Sequence, residues 1–148
     1  MNRAAALAAC ALAVFLSGCP QEWHFAVTNV NDPSYPSFCI SQRSNCRGAA
    51  VSFSSFVVAE VDERGRYVSD GKLIRPMWII EPVADVPLRE VRYGQVPEGW
   101  KETKSTEPLQ FEKFYSANGN HFFRIARGDG EARAEVLTLG EFLEKYYK

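Results

Sequence analysis

The distribution of hydrophobic and polar residues divides the chain into three parts. Residues 4–15 are apolar without interruption. From about residue 37 onward, short runs alternate between apolar and polar positions, which is the period-two pattern of half-buried β-strands. The last ten residues instead place apolar side chains at helical spacing. The pattern therefore predicts a hydrophobic leader, a mainly β domain and a short terminal helix.

Strand signals recur along the middle of the chain. The runs are SFCIS, AVSFSSFVVAEV, MWIIEP, LREVRYG, FEKFYSA, HFFRIA and ARAEVLTL. Asn118 and Gly119 both accept the positive φ of a type I′ turn, so they predict a β-hairpin. The segment DERGR, with Gly65, predicts another hairpin turn. About seven or eight short strands favour a β-sandwich, with a small barrel as the alternative.

The C-terminal segment carries helix signals. Thr138 and Glu141 have the spacing of a capping box. Apolar residues then follow on one helical face, namely Leu139, Phe142, Leu143, Tyr146 and Tyr147. A helix this short is marginal alone, so docking on the β-domain is favoured over use as a free partner-binding helix.

The apolar leader is about twelve residues long, whereas a membrane-spanning helix needs roughly twenty. With Arg3 before it and small residues after it, the segment predicts a secretory signal peptide. Leu16-Ser17-Gly18-Cys19 further resembles the lipobox of bacterial lipoproteins. This resemblance implies that residues 1–18 are removed and that Cys19 becomes a lipidated N-terminus. The alternative is an ordinary signal peptide cut nearby, which leaves Cys19 free.

The oxidation state of the remaining cysteines depends on the compartment in which the mature chain lies. Cys10 lies in the leader, so Cys39 and Cys46 form the pair left in the mature chain. An oxidising envelope favours a disulfide between them. Two buried thiols or a metal pair are the alternatives, although a zinc site requires four ligands.

Composition limits the mature chain to one domain of about 130 residues. Residues 19–36 contain several prolines and asparagines and predict a tether, in which HFAVTNV is a possible edge strand. Residues 37–148 form the predicted single β-rich domain. The leader holds one arginine and no acid, so 16 basic and 18 acidic residues remain. Such a mild net charge implies neither nucleic acid nor an anionic membrane surface as a partner.

Motifs for chemistry are missing from the sequence. It lacks the hydrolase elbow, the zinc-protease helix, the P-loop and the dinucleotide fingerprint. His24 falls in the predicted tether, and His121 is expected to be solvated beside the hairpin turn. Two groups of acids, Glu60 with Asp62 on one strand face and Glu81, Asp85 and Glu90 around the central strands, are more simply explained as solvent-facing charges than as a glycosidase pair. We therefore expect a protein that is not an enzyme and needs no cofactor or metal.

The loop YGQVPEGWKET offers candidate interface residues. Tyrosine and tryptophan on exposed loops supply much of the binding energy of protein interfaces. The candidates are Tyr93, Trp100 and Lys101, together with Trp78. The alternative for Trp100 is that it folds back over one end of the sandwich.

The fragments FCIS, FVVAEVDERG, PMWIIEP, LREVRYGQVPEGW and YSANGNHFFRI, with the lipobox, resemble small bacterial envelope lipoproteins, some of them type VI secretion immunity lipoproteins. The resemblance implies a periplasm-facing domain that binds and neutralises a delivered toxin. A structural or assembly lipoprotein of an envelope machine is the alternative, and a small hydrolase is third. Pro20 replaces the aspartate typical of inner-membrane retention, which slightly favours the outer membrane.

Overall fold

A computed structural model describes residues 22–61 and 75–146 of the chain. Its strands are β1 (His24–Asn29), β2 (Ser37–Ser41), β3 (Phe56–Glu60), β4 (Arg75–Pro82), β5 (Glu90–Arg92), β6 (Trp100–Lys104), β7 (Tyr115–Ala117), β8 (His121–Arg127) and β9 (Ala132–Thr138), followed by helix α1 (Leu139–Tyr146). The strands form two antiparallel sheets, of order β1-β2-β5 and β6-β4-β3-β7-β8-β9. The mainly β, sandwich-like prediction is confirmed, with nine strands in the described residues instead of seven or eight.

The core lies between the two sheets. Phe38 and Ile40 of β2 face inward and are fully buried, as are Phe56 of β3 and Phe123 of β8. The rings of Phe38 and Phe123 meet edge-on with centroids 5.2 Å apart, so the small sheet contacts the large one directly. On β5 the period-two alternation corresponds directly to inward and outward positions, because Val91 is buried and Glu90 and Arg92 are exposed.

β1 incorporates part of the predicted tether into the sandwich. It pairs antiparallel with β2, and His24 stands opposite Ser41. Phe25 is 7% exposed and contacts Phe123 across the sandwich. The possible edge strand in HFAVTNV is therefore confirmed, and the structured domain extends back to residue 24 instead of starting at residue 37.

The hairpin between β7 and β8 is confirmed at Asn118–Gly119. Both residues have positive φ, 49° and 70°. The Asn120 N–H donates to the carbonyl of Ala117 at 3.2 Å and closes the turn. Strand pairing starts at Ala117 opposite His121, so three residues connect the strands.

Helix α1 begins at the predicted capping box and docks as expected. The Thr138 N–H donates to the Glu141 carboxylate at 2.7 Å, and the Glu141 N–H donates to the Thr138 hydroxyl at 3.3 Å. Phe142 is fully buried and stacks on Phe122 of β8 with ring centroids 4.2 Å apart. Aromatic packing therefore holds the helix on the face of the large sheet that points away from the small one.

Some predicted features lie outside the described residues. These are the leader, Cys19, Pro20, the DERGR turn and Tyr147 of the predicted helical face. In the described part, β3 pairs with β4 on one side and β7 on the other.

Candidate functional site

Three of the four predicted interface residues are buried. Trp78 is fully buried on β4, Tyr93 is 1% exposed and Trp100 is 6% exposed. The prediction that they are exposed anchors is wrong, because each ring fills the space between the sheets. For Trp100 the alternative of an inward-folded ring is confirmed. It begins β6 instead of belonging to a loop.

Trp78 and Tyr93 connect the two sheets and have polar partners. The Trp78 Nε1–H donates to the Glu102 carboxylate at 2.9 Å. The Tyr93 hydroxyl donates to the Glu107 carbonyl at 2.6 Å. Burial, with smaller contributions from neighbouring Tyr115 and Glu107, raises the pKa of Tyr93 well above its ordinary value. The pair is therefore part of the scaffold.

Lys101 is the predicted interface residue that remains on the surface. Its side chain is 59% exposed, and its Nζ lies 3.8 Å from a Glu81 carboxylate oxygen. It belongs to β6, which is an outermost strand of the large sheet. Val83 lies next to this strand through the bond from its N–H to the Gly99 carbonyl, and it is 69% exposed. We call Lys101, Glu102, Thr103 and Val83 the β6 edge surface.

The predicted disulfide joins Cys39 of β2 to Cys46, with Cα atoms 5.8 Å apart. The enclosed loop is compact: the Arg43 N–H donates to the Arg47 carbonyl at 3.2 Å. Asn45 and Cys46 both have φ of 59°, a left-handed conformation that most residues other than glycine rarely adopt. The disulfide therefore closes a tight, exposed loop at the end of β2.

Basic residues surround this disulfide loop. Arg43, Arg47 and Arg89 are exposed. The Arg89 guanidinium donates to the Cys46 carbonyl at 3.4 Å, which places all three around one loop. Of the five other arginines in the described residues, three pair with acids, as Arg124 does with Glu135 at 2.6 Å.

An open groove of about 500 Å³ lies beside the Asn118–Gly119 turn. Trp23 and Phe53 line it with half-buried rings 5.1 Å apart. Asn118 forms its polar wall: its side-chain carbonyl accepts the Val57 N–H at 2.6 Å, and its amide donates to the Ser55 carbonyl at 3.1 Å. The groove thus combines aromatic rings with a fixed amide.

His121 packs against Trp23 and is half-buried, whereas the sequence predicts a solvated side chain. Its imidazole lies 4.3 Å from the Trp23 ring centroid, and its Nδ1 is buried without a hydrogen-bond partner in the described residues. Burial lowers the pKa of His121, and the nearby His24 lowers it further. The sequence signal that was missed is Trp23, which lies in the segment assigned to a tether.

Glu60, one of the acids considered for catalysis, is held by ion pairs within the protein. Glu60 lies 3.0 Å from Lys113 and 2.9 Å from Arg75. Burial opposes its ionisation, but hydrogen bonds from both cations outweigh burial and lower the pKa of Glu60. Across residues 22–61 and 75–146, no three His, Cys, Asp or Glu side chains are grouped to hold a metal ion.

Comparison with known protein families, with curated proteins and with solved structures finds no match to this chain. Among the described helices, none has the length and apolar character to cross a membrane.

Proposed function

We propose that this protein is a lipid-anchored, periplasm-facing binding protein of the bacterial envelope, and that it is an immunity protein against a secreted effector that acts in the periplasm. One combination carries the proposal: the sequence Leu16-Ser17-Gly18-Cys19 stands directly before a sandwich in which Cys39 and Cys46 are joined. A lipobox-like cysteine and a disulfide both suit an oxidising envelope compartment.

The β6 edge surface is the proposed contact for the effector. An outermost strand has unpaired backbone N–H and carbonyl groups along one edge. A strand of the partner can hydrogen-bond to these groups and so extend the sheet. Lys101 adds an exposed cation, and Val83 adds an exposed apolar side chain. Interfaces commonly combine an apolar contact with a charged rim in this manner.

Survival in competition tests the proposal directly. A strain that lacks this gene is grown against its parent, which delivers the effector through a type VI secretion system. We expect the deletion strain to be killed and the full chain to restore survival. The double variant Lys101→Glu, Val83→Asp should restore it poorly, because it reverses the charge and removes the apolar contact.

Arg133→Glu provides the matched control, since Arg133 is an exposed cation on β9, at the opposite edge of the large sheet. It should protect as well as the parent chain. Equal survival of the deletion strain and its parent would contradict an immunity role. If crosslinks from position 101 then join the protein to an envelope machine, the assembly lipoprotein is the better description.

A further inference from the structure

The start of β1 defines one end of the sandwich. Trp23, immediately before β1, contacts Phe53 at 5.1 Å and His121 at 4.3 Å between ring centroids. The Asn118–Gly119 turn lines the same groove. The disulfide loop also lies here, because His24 stands opposite Ser41 and shares a cavity of about 230 Å³ with Cys46. We call this the β1-start end.

The proposed lipid must lie close to this end. Four peptide units separate Cys19 from Trp23. Consecutive Cα atoms are 3.8 Å apart, so the two Cα atoms are at most about 15 Å apart in any conformation. A lipid on Cys19 therefore brings the β1-start end to the membrane surface, with little freedom for the sandwich to turn away.

The side chains at this end suit a lipid surface. Trp23 and Phe53 are half-buried rings at the mouth of the groove. Arg43, Arg47 and Arg89 have no carboxylate within 4.0 Å in the part of the chain that the structure describes. Glu22, exposed beside Trp23, and Glu90, exposed and opposite Cys39 in the pairing of β2 with β5, offset two of these three positive charges. The mature chain has 16 basic and 18 acidic residues, yet this end carries a small excess of positive charge.

We propose that the β1-start end is a membrane-contact surface that recognises anionic phospholipid headgroups. Trp23 and Phe53 enter the boundary between headgroups and acyl chains, where aromatic side chains are favoured. The three arginines contact lipid phosphates, which the guanidinium group binds through paired hydrogen bonds. The short link matters because electrostatic attraction is screened beyond about 8 Å at physiological salt. This inference rests on the proposed lipidation of Cys19.

Tryptophan fluorescence tests the contact with the full mature chain. Of the three tryptophans, Trp78 and Trp100 are buried, so a quencher in the membrane reports mainly on Trp23. The lipidated protein is purified from membranes, its N-terminal mass is measured, and it is placed in vesicles whose acyl chains carry bromine. One set of vesicles contains phosphatidylglycerol, and the other contains only zwitterionic lipid.

We expect bromine to quench the emission in phosphatidylglycerol vesicles and Trp23→Phe to abolish most of that quenching. The triple variant Arg43→Gln, Arg47→Gln, Arg89→Gln should be quenched less, whereas the control Arg133→Gln should match the parent.

Several results would overturn the inference. Lipidated protein without quenching would show that the sandwich stands away from the membrane. Equal quenching in zwitterionic vesicles, or in the triple variant, would refute recognition of anionic headgroups. A purified chain without the mass of a lipid would instead refute the proposed anchor, and the contact with it, before vesicles are made.

Discussion

The indole of Trp78 meets the phenol of Tyr93 edge-on, with ring centroids 5.4 Å apart, and this contact joins the two sheets of the sandwich. Trp78 belongs to β4 of the large sheet, and Tyr93 directly follows β5 of the small one. The sequence offers both rings as candidates for an exposed interface, but both are buried in the core. Substitutions at these positions therefore test the stability of the fold.

Tyr93→Phe should destabilise the protein. The change keeps the ring but removes the hydroxyl that donates to the Glu107 carbonyl at 2.6 Å. Loss of such a part-buried hydrogen bond costs about 1 kcal/mol in the free energy of unfolding. Urea denaturation followed by fluorescence measures the change. Tyr35→Phe is the control, because the Tyr35 hydroxyl makes no hydrogen bond in the described residues, and an equal loss there would contradict the assignment.

Asn118→Ala should weaken the hairpin between β7 and β8. It removes the side-chain bonds to the Val57 N–H and the Ser55 carbonyl and places alanine at a φ of 49°. The left-handed conformation costs alanine roughly 1–2 kcal/mol, whereas asparagine adopts it more readily, and the lost side-chain bonds add to this difference. We expect thermal unfolding at a clearly lower temperature. Asn120→Ala, at an exposed position of the same turn, should change that temperature little. A similar drop in this control would show that the effect is not specific to the bonds of the Asn118 side chain.

Reduction of the disulfide should also destabilise the fold. The sequence separation of Cys39 and Cys46 is 7 residues. The entropy of closing so short a loop in the unfolded chain corresponds to about 2–2.5 kcal/mol. Unfolding by urea with and without reductant measures this contribution. The double variant Cys39→Ala, Cys46→Ala should resemble the reduced protein and show no response to reductant. A parent chain that is equally stable in both conditions would contradict the prediction.

Glu60→Gln should reduce stability at neutral pH more than in acid. Because the pKa of Glu60 is lowered in the folded protein, its ionised form stabilises the fold above the unfolded pKa, about 4.3. That stabilisation is lost as pH falls through the lower folded pKa. Unfolding free energies measured from pH 7 to pH 3 should therefore converge for parent and variant.

Glu131→Gln is the control for the loss of one negative charge, since Glu131 is exposed and makes no ion pair in the described residues. It should leave the stability at pH 7 close to that of the parent. A constant difference between the parent and Glu60→Gln at all pH values would show that the ion pairs to Lys113 and Arg75 do not account for it.

Local signals predicted their elements well. The Asn118–Gly119 turn and the Thr138–Glu141 cap depend on residues within a few positions of each other, so the sequence contains the full cause of each. The disulfide was also predictable, because few cysteines remain after the leader. The prediction of a sandwich followed from alternating runs that lie on two sheets.

Features that depend on distant packing were not predicted. WKETK is mostly polar and lacks apolar alternation, so its pattern predicts a loop, although pairing with β4 makes it strand β6. Tyr93 and Trp100 lie in or beside a loop rich in turn residues, and only the folded sheets reveal that the rings point inward. Burial of a loop aromatic depends on surfaces far away in the chain.

The early start of β1 has a consequence for how partners are encountered. A long flexible tether lets a binding domain reach a large volume. Its effective concentration near any one point is then low. Here the fold begins at His24, five residues after the proposed lipid site. A protein anchored in this way would bind only effectors that come as close to the bilayer as the sandwich itself extends. Each copy would therefore protect only the membrane next to its anchor.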